Sequence, residues 1–161
     1  MKNTIEKLIL REARLLDEQK LDEWLQLYAK EATYWVPIDE TVNPLKESSI
    51  IFDNYLRLAM RVEQIMNQNR VAQTPASQML RQISNLEIEL DSETEATAHF
   101  GMFLTEVRSG DWRQRGLGEM RHYPARCDLT ARLIDNEWKI TAKKIVLLNR
   151  YQPIVGLSFI I

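Results

Sequence analysis

The reactive side chains in this sequence are scarce: one cysteine, Cys127, and two histidines, His99 and His122. Two imidazoles and a carboxylate would make a facial triad for a mononuclear iron, at the cost of both histidines. A structural zinc site takes four protein ligands from Cys and His, and a Rieske cluster takes two of each, so this chain alone builds neither. An internal disulfide is excluded by the single cysteine. His99 lies between Ala98 and Phe100 in an alternating stretch, opposite in parity to the apolar set. It is expected to face away from the core, without the orienting group that a general base requires. His122 sits in Arg121-His122-Tyr123-Pro124-Ala125-Arg126, a basic segment expected at a solvent-facing or subunit-facing edge. Arg126 beside Cys127 could lower the thiol pKa, but adjacent strand residues point to opposite faces, so a reactive thiol is poorly supported. Asp53, Arg57 and Arg61 share a helical spacing, and a capping carboxylate with solvated arginines explains them. Neither a Gly-x-Ser-x-Gly elbow nor a glycine-rich phosphate loop occurs. No catalytic, cofactor-binding or metal-ligating residue is assigned.

The elements that would position these residues run helices first, strands afterwards. Asn3 to Glu6 reads as a capping box opening a helix with Ile5, Leu8, Ile9, Leu15 and Leu16 on one face. A short second helix carries Trp24, Leu25 and Tyr28 at turn spacing. Thr33-Tyr34-Trp35-Val36, closed by Pro37, reads as a strand, and 37–49 as a loop. Asp53 is the expected N-cap of a third helix, with Tyr55, Leu58, Ala59, Val62, Ile65 and Met66 recurring at helical spacing. Burying that face would contribute on the order of 10 kcal/mol before chain entropy.

After Pro75 the period becomes two. Leu86, Ile88 and Leu90 alternate with acidic residues, Asp91–Thr94 is the expected turn, and Ala96, Ala98, Phe100, Met102 and Leu104 alternate again. A polar loop, Ser109–Arg113, leads to a long strand from about Gly118 to Ile134. Asp135-Asn136 turns it into a last strand, with Trp138, Ile140 and Ala142 facing one way and Lys139, Thr141 and Lys143 the other. Helices leading into a long meander predict an α+β fold, a curved antiparallel sheet wrapped as a cone around the N-terminal helices.

With 161 residues, 45% of them hydrophobic and 27% charged, and without a repeat or linker, the chain reads as one domain spanning 1–161. A net charge of -2 leaves no excess of Lys and Arg for a phosphate backbone, so nucleic acid is not an expected partner. Lys7, Arg11, Glu12, Arg14 and Asp17 interrupt the first twenty residues as no secretory signal allows, and no apolar run approaches the roughly 20 residues that span a bilayer. A cytoplasmic protein without a membrane partner is expected.

Two stretches ask for a cover. Ile145-Val146-Leu147-Leu148 is apolar on both faces, and the tail from Ile154 to Ile161 is more apolar still. Ile145, Leu147, Leu157, Phe159, Ile160 and Ile161 are therefore the candidate subunit interface. The alternative for the tail is that it folds back onto its own sheet.

These residues resemble the small, or beta, subunit of bacterial aromatic-ring-hydroxylating dioxygenases, the Rieske non-haem iron oxygenase systems. The likeness rests on Glu12-Ala13-Arg14-Leu15-Leu16-Asp17 running into Trp24-Leu25-Gln26-Leu27-Tyr28, then Ala32-Thr33-Tyr34-Trp35-Val36-Pro37, then Ile51-Phe52-Asp53 with Arg61-Val62. Pro75-Ala76-Ser77 with Ser84-Asn85, and Lys144-Ile145-Val146-Leu147-Leu148-Asn149, complete it in family order. Asn54-Tyr55 and His122-Tyr123-Pro124 depart from the usual pattern. The resemblance implies a cone-shaped fold of the nuclear transport factor 2-like, cystatin-like kind. It also implies a large (alpha) subunit as partner, and small subunits that associate as a trimer within a three-plus-three hexamer. The Rieske 2Fe-2S cluster and the mononuclear iron would belong to the large subunit, and this chain, with no cofactor of its own, would hold the large subunits in register. Two rivals remain: an independent isomerase or dehydratase on the same fold, which needs an acid or base inside the cone, and a module that binds a small apolar ligand.

Overall fold

The computed structural model describes residues 1–67, 76–108, 118–154 and 157–161. The Ser109–Arg113 loop, Pro75 and the Val155-Gly156 stretch of the tail lie outside them. Helix α1 (Lys2–Asp17) is followed by α2 (Leu21–Leu25), strands β1 (Tyr28–Pro37) and β2 (Ser49–Asn54), helix α3 (Tyr55–Asn67), and strands β3 (Gln78–Leu90), β4 (Glu95–Val107), β5 (Met120–Ile134) and β6 (Glu137–Leu147). The six strands form one sheet in the order β2-β1-β6-β5-β4-β3. The expected antiparallel meander holds for β3 to β6, while β1 joins β6 in parallel, with β2, α3 and the strands β3 to β5 between them in the chain.

α1 buries Ile5, Leu8, Ile9, Ala13, Leu15 and Leu16 along its apolar stripe. The capping box is not formed. The helix already begins at Lys2, and Met1 at the capping position supplies no side-chain bond. The other end closes in a Schellman arrangement: Lys20 N–H donates to the Leu15 carbonyl and Gln19 N–H to that of Leu16, with Gln19 at φ 56°. α2 is shorter than expected, and Tyr28 belongs to β1. β2 arises where the sequence read as loop followed by an N-cap. Asp53 is a buried strand residue, and Asn54 Oδ1 accepts from Arg57 N–H at 3.0 Å as the actual N-cap of α3. α3 buries Leu58 and Val62, whereas Met66 is exposed, so its apolar face is only partly covered.

Two β-bulges reset side-chain parity. In β3 the register shifts between Ser84 and Glu87, around Asn85 at φ 49°, so Arg81 and Ile83 precede Leu86 and Ile88 on the same inner face. In β6, Ala131 pairs with Ile140 but Thr130 with Ala142, and the extra residue reverses everything that follows. Lys143 was expected opposite Ile140. The bulge turns it inward with Ile145 and Leu147, on the face that meets the helices. The Asp91–Thr94 turn forms between β3 and β4 as expected. Asp135 and Asn136, at φ 48° and 64°, make the β5–β6 turn in the left-handed conformation that two-residue hairpins favour.

Candidate functional site

Asp53, Arg57 and Arg61 do come together at the start of α3. Arg61 donates to Asp53 Oδ2 from Nε at 2.8 Å and from Nη2 at 2.6 Å, and Arg57 Nη1 donates to the Phe52 carbonyl at 3.3 Å. Asp53 thus anchors α3 to the sheet instead of capping it.

The two histidines do not meet. Both face outward on the sheet, but His99 pairs across to Asp128 while His122 lies opposite Thr105, six residues further along β4. At strand rise that separation is roughly 20 Å, too far for a shared metal ion. His99 Nδ1 is 2.8 Å from Asp128 Oδ1, a hydrogen bond that holds the imidazole above its ordinary pKa of 6.5, with the nearby charges of Asp128, Glu89 and Glu87 adding to it. His122 stacks on Phe103 at 5.2 Å and bonds Thr105 Oγ1 at 3.2 Å. Cys127 is buried, and burial pushes its thiol up to about 12, partly offset by the charge of Lys143. It is a neutral core residue at physiological pH.

The most concentrated polar chemistry lies inside the cone, where sequence reasoning placed none. Lys143 Nζ donates to both oxygens of Glu12, at 2.7 and 2.8 Å, and Trp24 Nε1 and Tyr28 Oη donate to Glu12 Oε1 at 2.8 and 2.9 Å. Burial by itself would raise the Glu12 pKa; the Lys143 charge and these hydrogen bonds outweigh it and hold the carboxyl below 4.5. Burial, followed by the charge of Glu12, pushes the Tyr28 and Tyr34 hydroxyls well above 10, so both remain neutral donors. One signal for Glu12 was legible: it falls on the α1 stripe, four residues after Leu8. Lys143 had none, because the bulge that turns it inward has no local mark. Glu12 accepts from Lys143, Trp24 and Tyr28 at close range, which makes it a structural anion rather than a general base.

The tail occupies the same interior. Phe159, Ile160 and Ile161 are buried, Phe159 against the Tyr123 ring with centroids 5.7 Å apart. Tyr34 Oη donates to the Ile161 main-chain oxygen. Arg81 Nη2 donates to the Ile160 carbonyl at 2.5 Å, while Arg81 Nη1 and backbone N–H hold Asp17 at 2.5 and 2.8 Å. Among the described residues, a void of about 10 Å³ lies beside Leu16, Ile65, Met79 and Phe159, no more than one water could use.

Most of the candidate interface set lies inside the chain's own core. Ile145, Leu147, Phe159, Ile160 and Ile161 are satisfied within their own chain, because the tail folds inward and the bulge faces Ile145 and Leu147 to the helices. Val146, on the outer face, is buried too, where Glu40 pairs with Arg126 at 3.0 Å, Lys144 at 3.5 Å and Arg150 at 3.7 Å. Leu157 is half-buried and lines an open groove of about 560 Å³ with Ile38, Ile50, Tyr151, Pro153 and Ile154. Tyr151 is 71% exposed, and the Arg150 guanidinium lies 4.8 Å from its ring centre. Among the described residues no helix is long and apolar enough to cross a membrane, and no group of three His, Cys, Asp or Glu is placed to hold a metal ion.

Residues 11–153 match the sequence family described as Ring hydroxylating beta subunit. The 2-halobenzoate 1,2-dioxygenase small subunit of Burkholderia cepacia is 30% identical over 147 residues, which cover 88% of this chain and 84% of that one. Among solved structures, the beta subunit of the benzoate 1,2-dioxygenase of Burkholderia mallei superposes with a TM-score of 0.73 at 24% identity, covering 97% of this chain and 95% of that one. An NTF2-like protein with a cystatin-like fold from Novosphingobium aromaticivorans superposes with a TM-score of 0.64 at 14% identity, covering 92% and 82%. That likeness is one of fold. The family match, spanning nearly the whole chain and joined to a relative at 30% identity, carries the assignment: this chain belongs to the family of ring-hydroxylating dioxygenase beta subunits.

Proposed function

We propose that this chain is the non-catalytic small subunit of an aromatic-ring-hydroxylating dioxygenase, assembling and stabilising large subunits that cis-dihydroxylate an aromatic compound. The carrying observation is the family match over residues 11–153. The pairing inside the cone supports it. An isomerase or dehydratase on this fold would need an accessible acid or base, and the buried Glu12 is locked by Lys143, Trp24 and Tyr28. In this reading the Rieske 2Fe-2S cluster and the mononuclear iron reside in the large subunit, the complex is cytoplasmic, and three small subunits join three large ones. Of the six interface candidates, Leu157 remains available. The groove it lines is the contact for the large subunit, with apolar walls, an exposed Tyr151 at its rim and the largely buried Arg150 beside it, residue types that anchor interfaces.

Co-expression with the large subunit encoded beside it, then light scattering and iron and acid-labile sulfide assays on the separated chains, tests the reading. Both chains should co-elute as a hetero-oligomer, with iron and sulfide travelling with the large subunit. A small chain that stays apart, or carries stoichiometric metal by itself, would overturn it.

A further inference from the structure

Inside the cone, Tyr34 and one edge of the Arg81 guanidinium face the chain's own tail, while Arg81 Nη1 pairs with the Asp17 carboxylate at 2.5 Å. Tyr34 Oη and Arg81 Nη2 converge on the main-chain oxygens of Ile161 and Ile160, and the side chain of Arg81 is fully buried. Arg81 Nε, also buried, has no hydrogen-bond partner among the described residues. A guanidinium presents five N–H donors in a planar fork that suits a carboxylate; Asp17 takes the Nη1 side of this one, and on the side of Nε and Nη2 the neutral Ile160 carbonyl accepts from Nη2 alone. Around these donors the walls are aromatic: Tyr123 meets the edge of Phe159, and Trp24 meets Tyr34 at 6.0 Å. A void of about 10 Å³ lies beside Phe159, and among the described residues Phe159, Ile160 and Ile161 are buried in this interior.

We infer that residues 157–161 occupy a binding site for a compact aromatic carboxylate, whose ring takes the place of Phe159 and whose carboxylate takes the donors Tyr34 and Arg81 now offer the tail. The tail competes as a tethered occupant at high effective concentration, so the ligand's apparent affinity is reduced by the fraction of chains in which the site is free. Loosening the tail should therefore tighten binding without any new contact. The inference is independent of the subunit assignment, since its test needs only this chain.

The test titrates 4-fluorobenzoate into the full-length chain by fluorine NMR and repeats the titration with Phe159→Ala/Ile161→Ala. Binding to the variant should be roughly tenfold tighter or more. Adding Tyr34→Phe should remove most of that gain, and 4-fluorotoluene should bind clearly more weakly than the acid. Equal binding by variant and unaltered chain overturns the inference, and so does a variant that takes 4-fluorotoluene as readily as 4-fluorobenzoate, which would mark an apolar hole only. If the double variant does not fold, hydrogen exchange of the segment 157–161 in the unaltered chain decides: faster exchange with saturating 4-fluorobenzoate supports displacement, and unchanged exchange refutes it.

Discussion

Glu12 and Lys143 are both inaccessible, and each is tolerable only because the other is present. Removing one member of a buried ion pair leaves an uncompensated charge, whereas replacing both with apolar groups of similar volume is often neutral or stabilising. Glu12→Gln is therefore expected to destabilise the chain by about 3–5 kcal/mol. Glu12→Leu/Lys143→Met should cost less than either single change, as urea unfolding would show. Because folding holds the Glu12 pKa below its ordinary 4.5, the pair's contribution is complete above that value and is lost as pH falls through the folded pKa. Stability should drop more steeply below pH 4.5 in the unaltered chain than in the double variant. His99 runs the other way: its pKa is raised by Asp128, so the contact is present at low pH and lost as pH rises through the folded value. The site is half exposed, so the readout is spectroscopic. The His99 ring proton should titrate above 6.5, and Asp128→Asn should return it toward that value.

At the level of elements, strands and helices follow the hydrophobic period wherever that period is unbroken. β4 alternates without interruption from Ala96 to Leu104, and α1 places Ile5, Leu8, Ile9, Leu15 and Leu16 on one stripe while Leu10 stays exposed. Capping is less legible, since Asn3, Asp53 and Asn54 all carry suitable oxygens and only the local backbone selects among them. The Asp135-Asn136 turn is fully local chemistry. With Asn136 at φ 64°, Asn136→Gly should be neutral or stabilising by up to about 1 kcal/mol. Asn136→Val should cost about 1–2 kcal/mol, because a β-branched residue resists that conformation. Thermal unfolding of the two variants checks both. The bulge in β6 has no such residue mark. It follows from how β6 must meet β5 on one side and β1 on the other, and it is the device that brings Lys143 to Glu12.

For the molecule as a whole, the apolar tail separates into two roles. Phe159 and Ile161 complete the core, and truncating Phe159 to Ala should cost about 3–5 kcal/mol as a large-to-small core change. Tyr151 stands outside, at the groove rim. Tyr151→Ala should leave the chain's own unfolding within about 0.5 kcal/mol while weakening its association with the large subunit. Comparing chain stability with co-elution for these two variants distinguishes core from contact. A Tyr151→Ala complex as tight as the original would remove the groove from the interface.

The residue pattern by itself determined the α+β class, the meander of β3 to β6, the outward parity of His99, the hairpin at Asp135-Asn136 and the family likeness. Each rests on local periodicity, turn chemistry or residues read in order along the chain. Tertiary structure alone decided where the apolar ends go. An apolar segment such as Ile145–Leu148 or Leu157–Ile161 must leave water, but nothing in its composition says whether its own core or another chain receives it. The same holds for the buried charge pair: Glu12 and Lys143 are 131 positions apart, and only the closed cone, with its one-residue bulge, brings them within a hydrogen bond.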